Sequence, residues 1–428
     1  MPLKKYALYI LVFAATALTS CRKDDVPNPG GPKERTFFIY MAADNSLGYY
    51  NGASFDYPNI ESLLSGVKAS HLQKTNVILF HDPKIAYEGE ESGYVRPDEK
   101  PRLLEVVIGS DGKTTTRDAV VYEELNSGTA ATLKQILTKV VADYPAEKYG
   151  FLMWSHGTGW LPANPNFTTS RAIGQDNRGT DSWIEIGDFA DAIPDGQFDF
   201  IALDACYMGS AEVAYELRNK TDYILASPIE IMGNGMPYQL MPDLLFPRNP
   251  NYNGFCDAFY NMYASTYGCT ISLVKTSELE ALAATVHDIL KDADLQADII
   301  EGIPSGSLQR FGRLTYRNVF FDLGDFVQKL ATPSQYETFQ LAMQKAVPYS
   351  RHTDSFFKGN TDGFDITATV VWGLMSRGIT GCSTTITKHS IGTRRLIGHR
   401  RHPNSITKSP GLKPGAFLFM GIQAKENF

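Results

Sequence analysis

Four runs in this sequence, 36–41, 76–81, 149–154 and 198–203, are apolar almost throughout rather than on alternate residues. Strands built that way must be covered on both faces, as in the middle of a parallel sheet flanked by helices. The segments between them supply the cover. Residues 56–69 carry helical spacing between the first two runs. Residues 129–144 place Leu133, Ile136, Leu137, Val140 and Val141 on one helical face before Pro145 stops the helix. Strand, helix and strand in that order predict parallel pairing through a right-handed crossover. A further run at 103–108 predicts an edge strand. The expected fold class is α/β, a three-layered α/β/α sandwich around a mostly parallel sheet.

With 428 residues the chain has material for one large core or two ordinary ones. Its formal net charge of -7 argues against a nucleic-acid partner, because a phosphate backbone calls for a basic face. No Walker loop, dinucleotide fingerprint or zinc-type Cys/His ladder occurs. Gly157-Thr158-Gly159 and Gly233-Asn234-Gly235 are too short to cradle a phosphate and read as tight turns. No cofactor is expected. The five cysteines, Cys21, Cys206, Cys256, Cys269 and Cys382, are odd in number and unclustered, which does not make a disulfide framework. Cys256 and Cys269 read as core thiols, whereas Cys21 and Cys206 sit in patterns of their own.

Lys4 and Lys5 precede an apolar run at 6–18, too short to span a bilayer as a mature helix and placed as a signal segment is. It ends in Leu18-Thr19-Ser20-Cys21, which resembles the bacterial lipoprotein signal, whose cysteine is lipidated and becomes the new N-terminus. Residues 1–20 are therefore expected to be a signal peptide, and acyl chains on Cys21 to hold the protein at a membrane surface. Residues 21–34, with their Pro/Gly run, read as an extended tether. Within it Lys23-Asp24-Asp25 resembles the tag that sends lipoproteins of some Gram-negative bacteria to the cell exterior. An outward-facing outer-membrane lipoprotein is the expected location.

Two of the apolar runs end in chemistry. The third leads into Ser155-His156-Gly157-Thr158-Gly159, and the fourth into Asp204-Ala205-Cys206-Tyr207-Met208-Gly209, with a helix predicted at about 210–217. Loops at the carboxyl edge of neighbouring parallel strands converge, so His156 and Cys206 meet if their strands are neighbours. A thiol is a poor nucleophile until it ionises, and an adjacent imidazole promotes that. The start of the following helix would favour the thiolate further. Glycine at 157 lets its N–H approach a reacting carbonyl, and with the N–H of Cys206 it would form an oxyanion hole. Taken singly, a core-filling thiol and a turn histidine are the plainer explanations; their joint placement is what selects them.

These stretches resemble the clostripain family of cysteine peptidases, within the caspase-like group. The resemblance is carried by Phe38-Ile39-Tyr40-Met41-Ala42-Ala43-Asp44-Asn45, by Pro145-Ala146-Glu147-Lys148-Tyr149-Gly150 leading to Trp154-Ser155-His156-Gly157, by residues 199–209, and by Tyr223-Ile224-Leu225-Ala226-Ser227. The interval of about fifty residues from His156 to Cys206 also fits that group. Residues 35–238 are covered, with weaker matching to 367. The resemblance implies a caspase-like catalytic domain over 35–250, protein or peptide substrates, and a catalytic dyad of His156 and Cys206. In the family the acid two residues before the cysteine lines the pocket for a basic side chain. Here that is Asp204, implying cleavage after Arg or Lys; bracing its own loop through backbone N–H groups is the other role open to it. Glu230, in Ser227-Pro228-Ile229-Glu230, is a candidate second acid, although this stretch is less acidic than in better-known members. Members mature by cutting themselves between histidine and cysteine. The Asn/Thr/Ser/Gly-rich segment 161–180 is expected to be an exposed loop, with Arg171 and Arg178 as candidate self-cleavage sites. Some relatives need calcium; no Asp/Asn/Gly loop here names a metal site, and calcium stays open. The pattern requires no third catalytic residue.

Beyond residue 250, helices are predicted at 253–266, 277–297, 324–331 and 335–346 and a strand at 270–275. Residues 251–375 are thus expected to be a mostly helical region packed on the sheet. The tail, 376–428, is anomalous: no Asp or Glu occurs between Ile366 and Lys425, and basic residues crowd 388–413. Relatives end in a Tyr/Trp-rich stretch, and the adjacent reading frame can give one, so a frameshifted tail is expected; a nucleic-acid-binding tail is its rival. The competing class for the whole chain is a catalytically silent surface binding lipoprotein with a peptidase-like fold. A serine hydrolase is set aside because no Gly-x-Ser-x-Gly elbow occurs.

Overall fold

The computed structural model describes residues 32–49, 54–84, 99–160, 172–178, 181–292, 308–312, 320–368 and 373–375. The expectations for the signal peptide, Cys21, Arg171 and the tail after 375 lie outside them. Strand β1 (Lys33–Ala42) shows why its sequence reads as continuously apolar. Phe38, Tyr40 and Ala42 point into one core and Phe37, Ile39 and Met41 into another. Both faces of the pleat are covered, so both residue sets must be apolar.

After β1 come α1 (Asp56–Gly66), α2 (Ala69–Lys74), β2 (Thr75–Asp82), β3 (Arg102–Ile108) and β4 (Thr114–Val121). Next are α3 (Ala130–Asp143), β5 (Ala146–Trp154), β6 (Ala172–Asp176), β7 (Ser182–Glu185), α4 (Ile186–Ala192), β8 (Phe198–Asp204), α5 (Ala211–Glu216) and β9 (Thr221–Ala226). Among the described residues the main sheet has nine strands; its central five, β2-β1-β5-β8-β9, are all parallel. Antiparallel β3 and β4 extend one edge. Cap chemistry sets the helix limits: the Thr129 side chain accepts from the Thr132 N–H to start α3, and Pro145 follows its end. At the amino edge of the sheet, buried Arg35 of β1 makes a two-pronged bond to Asp199 of β8, 2.8 and 2.7 Å. That fork ties the register of two strands separated by β5.

The rest of the chain adds α6 (Met241–Leu244), α7 (Tyr252–Tyr263), β10 (Thr270–Lys275), α8 (Leu279–Asp292), β11 (Phe320–Asp322), α9 (Leu323–Leu330) and α10 (Pro333–Ala346). Short strands β12 (Tyr349–His352), β13 (Ser355–Phe356), β14 (Phe364–Asp365) and β15 (Gly373–Met375) follow. One core joins the sheet to α3, α4, α8, α9 and α10 through Leu133, Phe189, Leu282, Phe326 and Phe339. The opposite core uses Ile60 and Leu63 of α1, Met241 of α6, and Phe255 and Phe259 of α7. This is the predicted α/β/α sandwich.

Residues 251–375 are less purely helical than predicted. β10 pairs antiparallel with β9, and β12 antiparallel with β10, completing the main sheet, so this region and the preceding one share a single sheet. A second departure concerns 161–180. Ala172–Asp176 is not exposed loop but the largely buried strand β6, antiparallel to β7. Only Ile173 of β6 joins the main core, together with Ile184 of β7; the other four residues are small or polar, which is why the strand has no apolar run to mark it.

Candidate active site

Strands β5 and β8 are direct parallel neighbours, and Trp154 lies opposite Asp204. His156 and Cys206 each stand two residues beyond that rung, on strands roughly 4.8 Å apart. The Ser155 N–H donates to the Asp204 carbonyl at 3.4 Å, carrying the ladder one step past the strand ends. The two loop tips predicted to converge therefore leave the sheet side by side.

The histidine loop is held from behind by β6. Gly174 N–H donates to the His156 carbonyl (3.1 Å) and Thr158 N–H to the Ala172 carbonyl (3.0 Å), around a bridge between Gly157 and Ile173. Because both bonds come from the flanking residues, the Gly157 N–H makes none among the described residues, as an oxyanion donor requires. Only glycine fits at 157: a Cβ there would lie 2.8 Å from the Cys206 carbonyl oxygen and 2.9 Å from the Ala205 Cβ.

Cys206 is half-buried, and its Sγ lies 3.6 Å from the Ile231 carbonyl oxygen. Tyr207 after it adopts φ 64°, a left-handed conformation rare without glycine. That turn is fixed by Tyr207 N–H donating to the Ile229 carbonyl and by a ring stack on Phe320 at 5.0 Å. Local strain of this kind persists where surrounding structure over-determines it. Residues of the C-terminal region supply that support: Phe311, Phe320, Phe356 and Ile366 pack with Tyr207, with Cys206 at the margin.

The helix predicted after the cysteine is present. Helix α5 begins at Ala211, and its first turn is capped by the Ser210 side chain accepting from Val213 N–H. The helix is six residues long and starts five positions after Cys206.

Asp204 is buried, and its Oδ2 accepts from Met236 N–H (3.0 Å) and from the Tyr238 hydroxyl (2.8 Å). Of the two roles left open by the sequence, bracing is the one these bonds carry: the carboxylate, at the end of the strand that leads to the cysteine, holds the loop through Met236 and Tyr238. Burial pushes its carboxyl up to about 7, with the hydrogen bonds from Tyr238 and Met236 opposing. Glu230 is half-buried on the same loop, one residue before Ile231. Among the described residues no group of three His, Cys, Asp or Glu side chains is placed to hold a metal ion.

Arg178, predicted as a solvated cut site, is instead tied down. Its guanidinium pairs with Asp44 (3.2 Å) and Asp82 (2.9 Å), both fully buried at the carboxyl ends of β1 and β2, and its own side chain is 18% exposed. Burial pushes the Asp82 carboxyl well above its usual range, opposed by Arg178. The pairing fastens the β6–β7 hairpin, and through it the histidine loop, to the main sheet.

Sequence reasoning missed Ser46. Its Oγ lies 2.8 Å from His156 Nε2. The turn that carries it is fixed by Asn45, whose Nδ2 donates to the carbonyls of Ala42 and Gln175, each 2.8 Å, and whose Oδ1 accepts from Leu47 N–H. The signal available was the Asp44-Asn45-Ser46 turn after a central strand; nothing in it names a histidine 110 residues away.

Comparison with known proteins agrees with this geometry. Clostripain of Hathewaya histolytica is 29% identical over 231 residues, which are 50% of this chain and 41% of that protein, so the match spans less than half of the relative's length. An inactive zymogen of a C11 protease from Parabacteroides distasonis is 31% identical with a TM-score of 0.67, covering 81% of this chain and 92% of its own. A secreted C11 cysteine protease from Bacteroides thetaiotaomicron, solved with an irreversible peptide inhibitor, is 27% identical with a TM-score of 0.64, covering 82% and 91%. Residues 39–358 match the model of the clostripain family, and with well over half its length so matched, this chain belongs to that family of cysteine proteases.

Proposed function

We propose that this protein is a cysteine endopeptidase that cuts after Arg or Lys, with Cys206 as nucleophile and His156 as proton-transfer partner. The observation that supports it most is the shared rung from which the two loop tips leave β5 and β8. Cys206 Sγ gives its proton to the imidazole and attacks the substrate carbonyl carbon, forming a C–S bond. The N–H groups of Gly157 and Cys206 receive the oxyanion. The imidazolium then protonates the leaving amine as the C–N bond breaks. Water attacks the resulting thioester through the same imidazole, and the thiol is released with the new carboxylate. Asp204, with Glu230 on the facing loop, favours a cationic side chain at the cut. Maturation is by self-cleavage between His156 and Cys206, and a lipid on Cys21 holds the enzyme at the outer face of the cell.

A thiol-directed probe carrying Arg or Lys is expected to label the purified protein and to lose that label in Cys206→Ala. The same variant should stay a single chain where the wild type separates into two fragments. Labelling that survives Cys206→Ala sinks the assignment, and a wild type that neither labels nor cleaves basic peptides leaves the silent binding lipoprotein as the better account. The anchor is checked separately: Cys21→Ser should move the protein from the membrane fraction to the soluble one.

A further inference from the structure

We infer that Ser46 is the positioning residue that holds the His156 ring with Nδ1 toward Cys206, an inference that rests on the peptidase assignment above. The Ser46 Oγ to His156 Nε2 distance, 2.8 Å, is that of a good hydrogen bond. With Nε2 engaged there, Nδ1 is the nitrogen left to exchange a proton with the thiol. For Nδ1 to accept that proton, Nε2 must carry the ring's own hydrogen, and the serine oxygen is then its acceptor. The same bond persists when the ring is doubly protonated, because imidazolium donates from both nitrogens.

Ser46 itself is exposed, but the turn that carries it is held in place. Asn45 pins its turn to the end of β1 and to the Gln175 carbonyl of β6. Gln175 N–H donates to Ser155 Oγ, which donates in turn to the Ala42 carbonyl. The residues on either side of His156 and of Ser46 therefore share one hydrogen-bonded frame. The Trp183 ring, 6.3 Å from the imidazole, bounds its side. Charged and titratable groups on the surrounding elements are Asp44 and Asp82, paired with Arg178; Asp176, which accepts from Ser127 and from Arg178 N–H; and Asp204 and Cys206 beyond β8. The hydrogen bond resolved at Nε2 is to a neutral hydroxyl, in the position that a carboxylate takes in other catalytic groups.

A neutral acceptor orients the ring without adding a counter-charge, so its removal should cost less than removing a triad carboxylate. The full chain is compared as wild type, Ser46→Ala, Ser46→Thr and Cys206→Ala, using an Arg or Lys peptide substrate and the rate of Cys206 alkylation by iodoacetamide. Ser46→Ala should lower kcat by about tenfold, a fraction of what a whole general base supplies. KM should stay within about twofold, alkylation should slow in parallel, and the melting temperature should hold. Ser46→Thr, which keeps the hydroxyl, should recover most of the loss. Unchanged kcat and alkylation in Ser46→Ala, or a loss that threonine does not recover, overturns the inference while leaving the peptidase assignment intact. Cleavage that persists in Cys206→Ala overturns both.

Discussion

Replacing Asp204 by Asn should stabilise this fold while removing the proposed preference for basic substrates. The carboxyl is buried, and burial raises it from 3.8 to about 7. Below 3.8 the folded and unfolded chains both hold the proton. Between 3.8 and about 7 the folded chain keeps a proton that the unfolded chain has released, so stability falls as pH rises through that window. Above it the full cost of burying the ionised group stands. At about 1.4 kcal/mol for each pH unit, that cost is about 4 kcal/mol. Asparagine keeps an acceptor for Met236 N–H and the Tyr238 hydroxyl but never ionises. For a chain of this size 1 kcal/mol moves the melting temperature by about 1–2 °C, so Asp204→Asn should gain about 4–8 °C at pH 8 and almost nothing at pH 4. The assay is thermal unfolding from pH 4 to 8.5, with both chains also carrying Cys206→Ala to stop self-digestion. Parallel melting curves across that range, or a lower melting temperature for the asparagine variant at pH 8, would refute the reasoning. In catalytically intact protein, cleavage of Arg and Lys peptides should rise through pH 7 as Asp204 ionises and be lost in the variant.

The two arginines between His156 and Cys206 should behave oppositely. Arg171→Gln should abolish self-cleavage with little change in melting temperature, whereas Arg178→Gln should still be cut but lose about 3–5 kcal/mol, since Asp44 and Asp82 are left buried without their cation. Gel analysis over time and thermal unfolding separate them, and a single-chain Arg178→Gln of wild-type stability would contradict both halves.

The central strands were legible because their constraint is local. Every residue of β1 from Thr36 onward is buried, so the run had to be apolar on both faces. The side-by-side departure of the His156 and Cys206 loops was legible one step less directly, since it needed β5 and β8 to be neighbours. What the sequence hid is short or long-range. β6 has two apolar residues in five, and its burial comes from lying against the histidine loop. β12, Tyr-Ser-Arg-His, is half-buried along its length and has no apolar period to betray it. Arg178 finds its carboxylates 134 and 96 residues away, and Ser46 its histidine 110 away. Pairings of that kind leave no spacing in a single sequence.

The Arg178 pairing also bears on how a protein of this shape could be cut without losing its proposed oxyanion site. Gly157 is presented by β6, whose other edge is paired to β7, and whose end is fastened by Arg178 to buried Asp44 and Asp82. A cut before Ala172 leaves all of these bonds in place. Its new amino group sits where Ala172 N–H already donates to Thr158 Oγ1 at 2.9 Å, and it gains a positive charge beside that oxygen. A cut after Arg178 differs in kind. To enter the pocket proposed at Asp204, the guanidinium would have to abandon two buried carboxylates that hold it by ion pairs. The buried pairing that makes Arg178 a poor cut site is therefore the same one that keeps the histidine loop in place once the chain is opened upstream of it.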